Sequence, residues 1–197
     1  MRTFLSTAMS ATMALVLIVL AVALVGCTDE PAPLAPDLAK SHLPFPATPE
    51  ILMGNFYEAY GTQDLAGYAS LLHPDFQFEL ARGFTPQSWG RDQELAIAAR
   101  MFSREDYVKP DRVIAGIAHI EFVCFEGVGP WVVAPENGGA VTLVRTYNVH
   151  VRFHRTDESV IDVQGTSIFH VHADEFEDAG GETRLGYRIV RWVDRTG

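Results

Sequence analysis

The chain has 197 residues, 48% hydrophobic and 20% charged, with a formal net charge of −10 and only two cysteines. Once an N-terminal leader is set aside, one domain of ordinary size remains, large enough to bury a core without disulfides or metal. The acidity, with no basic run anywhere, excludes nucleic acid and anionic lipid surfaces as partners.

Residues 1–26 begin with Arg2 and continue in an uncharged apolar run from about Ala11 to Val25, the pattern of a secretory leader. The run ends in Leu24-Val25-Gly26-Cys27. This resembles the bacterial lipoprotein signal: a branched apolar residue, a small pair, then a cysteine whose thiol accepts a diacylglyceryl group. Val25 is larger than the residue usual at its position. The resemblance implies a lipid on Cys27 as the membrane partner. Because Thr28 rather than Asp follows, it also implies a place in the cell envelope, on the periplasmic side of the outer membrane. A plain transmembrane anchor is the alternative, since the run is almost long enough to span a bilayer. Removing Arg2 with the leader makes the remaining charge −11. Residues 27–47 hold Pro31, Pro33, Pro36, Pro44 and Pro46, which favour an extended tether. At about 3.1 Å per residue it would reach ~60 Å from the membrane.

The domain is expected over residues 48–197. Thr48 is a good N-cap and Pro49 suits the first helical position. Leu52, Phe56, Ala59 and Tyr60 then form one apolar stripe. Gly61 is expected to end this helix in the left-handed conformation. Asp64 caps a second, shorter helix through Leu72, and His73-Pro74-Asp75 reads as the turn that breaks it. Phe76, Phe78 and Leu80 alternate with polar residues, as in a strand. A third helix is expected over Arg91–Phe102, with Asp92 and Glu94 in its first turn, where the helix dipole prefers acids. A strand follows from about Ile117 to Glu126, with Ala118, Ile120, Phe122 and Cys124 inside and Cys124 a small buried hydrophobe. Gly127, Gly129 and Pro130 then predict a long connection over 127–140, a binding segment or flap. Three strands complete the chain, over Val141–His154, Val160–His172 and Leu185–Asp194.

The stretch FYEAYGTQDLAGYASLLHPDFQFEL, with the later WGRDQEL and YRIVRWVD, resembles the nuclear-transport-factor-2-like superfamily, which includes polyketide cyclases and ketosteroid isomerases. The resemblance implies an α+β domain in which three N-terminal helices pack on a curved antiparallel sheet, a cone-shaped α+β barrel. It implies nothing firm about activity, because that fold hosts many functions.

A pocket between the helices and the concave sheet face is the first candidate site, with Tyr60, Trp89, Arg145, Tyr147 and Arg191 as ligand-binding residues. Arg145 and Arg191 lie among apolar neighbours and need either an anionic ligand or a structural partner such as Asp75, Glu79 or a carbonyl. Isomerase chemistry needs a tyrosine and a basic aspartate. The resemblance puts Phe56 and Leu80 at those positions, which removes most of that case and leaves His73 and Asp75 as weak acid–base candidates. His119, His150, His154, His170 and His172 are expected on the outer face, solvated or at a homodimer surface rather than on a metal. No metal or cofactor motif is evident. The expected role is non-catalytic binding of a small apolar or anionic ligand, or of a protein. An acid–base enzyme of the cyclase, isomerase or dehydratase kind and a self-associating scaffold are the alternatives.

Overall fold

The computed structural model describes residues 42–81, 87–134, 141–177 and 181–196. The leader, Cys27, most of the Pro-rich segment and residues 135–140 of the expected connection lie outside them.

Helix α1 (Pro49–Thr62) is followed by α2 (Leu65–Leu71), β1 (Leu72–Leu80), β2 (Gln87–Gly90) and α3 (Arg91–Phe102). A small hairpin, β3 (Tyr107–Val108) and β4 (Val113–Ile114), leads to β5 (Ile117–Val133), β6 (Thr142–Arg155), β7 (Val160–Glu177) and β8 (Thr183–Asp194). The capping chemistry is as the residues dictate. Thr48 Oγ1 accepts from Ile51 N at 3.3 Å, and Asp64 Oδ1 accepts from Gly67 N at 3.0 Å. Gly61, however, lies within α1, and the left-handed terminal residue is Gln63. Its side-chain Nε2 donates to Ile117 O at 2.9 Å, a tertiary bond that offsets the unfavourable φ.

The main sheet runs β2-β1-β8-β7-β6-β5. It is mixed rather than antiparallel as expected, because β8 lies parallel to β1. The chain leaves β1, makes α3 and the β5–β7 meander, and returns along β1's flank. Such long-range pairing has no local signature in the residues.

Leu52, Phe56 and Ala59 of α1, Tyr68 of α2 and Ala98 of α3 share one buried core with Phe76, Phe169, Val171 and Ile189 of the sheet. Phe56 lies at its centre, within ring-packing distance of Tyr60, Tyr68, Phe125, Phe169 and Trp192. The folded part begins before α1. Asn55 Nδ2 donates to Pro44 O at 2.6 Å, Leu43 packs on the core, and Phe45 meets Phe176 edge-on.

Register shifts account for the remaining differences. His73-Pro74-Asp75 is no free turn but part of β1, inside an irregularity between Leu72 and Gln77. Gly127, Gly129 and Pro130 do not end β5, which continues to Val133 and absorbs them in a shift between Val128 and Val132. Two further shifts, at Ile117/His119 and Phe122/Cys124, each add one residue and reverse the alternation. Ala118 is therefore exposed. Cys124 is half-buried instead of buried, and Phe125 takes the inner position.

Candidate functional site

One row of side chains crosses the inner face of the sheet. Register pairs Trp89 with Phe78, Phe78 with Trp192, Trp192 with Phe169, and Phe169 with Arg145. The first three ring pairs lie 4.4, 4.9 and 5.4 Å apart. Against this row α1 sets Phe56 and Tyr60, and between the two layers a cavity of about 60 Å³ remains. Its walls are mostly apolar, with Phe56, Phe125, Phe169 and Trp192 prominent, and its polar corner is Ser167, Asp194 and Thr196.

The corner is built by β7 and the end of β8. Ser167 is the register partner of Asp194, so both point inward beside Trp192. The chain then turns: Thr196 N donates to Asp194 Oδ1 at 2.8 Å, and Arg195 N donates to Thr166 O at 2.9 Å. This last segment presses on Gly165, where a Cβ would lie 2.6 Å from Thr196 Cα. Ser167 is fully buried, and among the described residues its hydroxyl has no hydrogen-bond partner. The indole N–H of Trp192 is likewise buried without one. At roughly 10–15 Å³ per water-sized centre, the space takes about four water-sized groups.

Behind Tyr60 lies a buried carboxylate. Glu94, 5% exposed, accepts from Tyr68 Oη and from Trp89 Nε1, both at 2.7 Å. Burial is the main reason its carboxyl is held above the ordinary carboxylate range, and Asp194 adds to the rise, whereas the two donors oppose it. The Tyr60 and Tyr68 hydroxyls are pushed far above their usual range, first by burial and then by Glu94.

Of the residues singled out beforehand, Tyr60 lines the cavity. Trp89 belongs to the aromatic row but spends its N–H on Glu94. Tyr147 is buried and stacks on Phe125 at 4.7 Å, one strand away from Ser167. Arg145 faces inward but stays outside the cavity, its guanidinium over the rings of Trp131 and Tyr147 at 5.9 and 5.4 Å. Arg191 points the other way. A shift in the β7–β8 register between His170 and Val171 reverses its phase, so it pairs with Glu79 on the outer face. Neither arginine therefore places a cation in the cavity.

His73 and Asp75 are also outside it. Asp75 is almost fully exposed, and its N–H donates to His73 Nδ1 at 3.1 Å. The His73 ring packs edge-on against His172 at 4.6 Å, with Asp174 3.9 Å from its Nε2. On the outer face His150 bonds Asp162 at 2.8 Å and His154 bonds Glu121 at 3.1 Å, with Arg152 between the two carboxylates.

Two polar groups of the cavity, Ser167 and Asp194, were not anticipated. Phe56 lies in the apolar core and Leu80 packs against it. Leu80 is the register partner of Asp194, and Tyr60 lies one turn beyond Phe56.

No protein-family model and no curated protein matches the chain. Among solved structures it is similar to a candidate aromatic ring hydroxylase from Novosphingobium aromaticivorans. That similarity is 17% identity over 75% of this chain and 88% of that one, with a TM-score of 0.49. It is also similar to a candidate dehydratase of the nuclear-transport-factor-2-like family from Streptomyces avermitilis, at 16% identity over 73% and 89%, TM-score 0.42. A third is a nuclear-transport-factor-2-like protein of unknown function from Exiguobacterium sp. 255-15, at 16% identity over 74% and 98%, TM-score 0.41. Identities this low carry no chemistry from one chain to another.

Proposed function

We propose that this chain is a lipid-anchored envelope protein whose nuclear-transport-factor-2-like domain binds a small, mostly apolar molecule without transforming it. The observation that carries the binding role is the aromatic-walled cavity whose polar corner holds a buried, unpartnered Ser167 hydroxyl. A buried polar group without a partner costs about 1–3 kcal/mol, which a ligand carrying one hydroxyl or carbonyl would recover. An anionic ligand does not suit this cavity, because Asp194 lines it and neither arginine does. The volume fits a ligand of about four heavy atoms, such as a short branched alcohol or ketone.

Untargeted mass spectrometry of compounds released from the purified, unlipidated chain tests this. A small oxygenated apolar compound is expected in the wild-type extract and absent from a folded Val163→Phe variant, whose ring enters the same space. Identical extracts from both proteins would refute cavity binding. The anchor rests on the Leu24–Cys27 pattern, and a diacylglyceryl mass on the Cys27 peptide from the native host is its direct check. An unmodified thiol there would remove it.

An acid–base enzyme is the second reading, supported by Asp194 and Tyr60 lining one cavity. It requires Asp194 to exchange a proton with the ligand. Deuterium incorporation into the bound compound, lost in Asp194→Asn, would favour this reading over simple binding.

A further inference from the structure

At one end of the inner face of the β5–β6 pair, apart from the cavity, lie two buried donors that have no acceptor among the described residues. Arg145 rests flat against the backbone of Gly127, where any Cβ would collide with the guanidinium. Its Nη2 reaches Gly127 O only at 3.4 Å. Its Nε is buried with no hydrogen-bond partner, and so is Nε1 of Trp131. Among the described residues, the one polar side-chain interaction of Arg145 is with the neutral Tyr147 hydroxyl, which brings no countercharge. The aromatic faces of Trp131 and Tyr147 hold the cation in place, but a ring face does not accept a bond in the plane of the guanidinium. Two buried donors, one of them charged, thus keep unmet hydrogen-bonding capacity in one neighbourhood, with the guanidinium 5.9 Å from the Trp131 ring. Beside them Val133, paired with Leu143 and so on the same face, is 65% exposed and supplies apolar surface.

We infer that this is a binding site for a small organic carboxylate with an apolar body. Its oxygens accept from Arg145 Nε and Trp131 Nε1, and its hydrocarbon lies along Val133 and Leu143. A carboxylate suits the site better than a phosphate, because two donors beside an apolar wall match one planar monoanion. Gly127 is the enabling residue, since it alone lets the guanidinium lie down in this plane. The inference stands apart from the cavity reading, because neither Arg145 nor Trp131 lines that cavity.

The test follows the indole N–H resonance of Trp131 by nuclear magnetic resonance, in the chain from Thr28 to Gly197, assigned by its loss in Trp131→Phe. Hexanoate is the probe and hexanol its uncharged counterpart. Hexanoate is expected to move this resonance saturably at millimolar concentration, with hexanol leaving it in place. Arg145→Gln should weaken hexanoate about tenfold or more, the loss of one charge-assisted bond. Gly127→Ala should weaken it as well, with Arg145 itself retained. Three outcomes would overturn the site: no saturable shift with hexanoate, an equal shift with hexanol, or unchanged affinity in a folded Arg145→Gln protein.

Discussion

Glu94 has two oxygens, two donors and almost no water, and its protonation follows from that imbalance. Two hydrogen bonds from neutral groups favour the carboxylate, but removal from water favours the acid more, so the folded-state pKa is raised. A raised carboxyl binds its proton more tightly in the native protein than in the unfolded chain. The stability Glu94 contributes is therefore fully present below the ordinary carboxylate range and is lost as pH rises through the folded pKa. Glu94→Gln carries no such dependence. Thermal melts in a pH series should show wild-type Tm falling relative to Glu94→Gln from acid to neutral pH; a constant difference would mean that Glu94 ionises normally. The residue was legible in principle. It stands four before Ala98 and eight before Phe102, on the buried stripe of α3, but its place in the first turn offers a ready helix-dipole explanation that hides it. Ser167 and Asp194 carried no such signal, since their meeting depends on the register of β7 against β8.

The three helices could be read almost to the residue, because caps and a 3.6-residue stripe are local properties of the chain. Strand β5 could not. Its glycines and Pro130 look like an interruption, and only pairing with β6 shows that the strand bends and continues. The one-residue shifts at Phe122/Cys124 and at His170/Val171 also reverse the inner and outer assignment beyond them, which puts Cys124 and Arg191 on the outer face. Strand β7 carries the most demanding position of this kind. Gly165 has a φ of 155° and lies against the backbone of Thr196, the segment that closes the cavity's polar corner. Gly165→Ala should destabilise the chain by about 1–3 kcal/mol, measured by urea unfolding, because backbone cannot yield as a flexible side chain can. It should also loosen ligand retention. A change under about 0.5 kcal/mol would show that the C-terminal segment moves aside freely.

On the scale of the molecule, the composition and the opening cassette were enough for an α+β domain with three helices on one sheet. They were not enough for the parallel β1–β8 pair, which joins residues more than a hundred positions apart. That pair sets Phe78 beside Trp192 and Leu80 beside Asp194, and so determines both the aromatic wall and the acid at its corner. The outer face is a different surface, with its carboxylates, Arg152, His150 and His154 bonded to one another across β5, β6 and β7. On the inner side, among the described residues, buried hydrogen-bonding capacity stays unmet at Ser167, Trp192, Arg145 and Trp131.

The most direct measurement is a crystal structure of the chain grown with isopropanol. The alcohol should be found between Phe56, Phe169 and Trp192, with its hydroxyl bonded to Ser167 Oγ. A cavity holding only water, or side chains closed over it, would contradict the binding role.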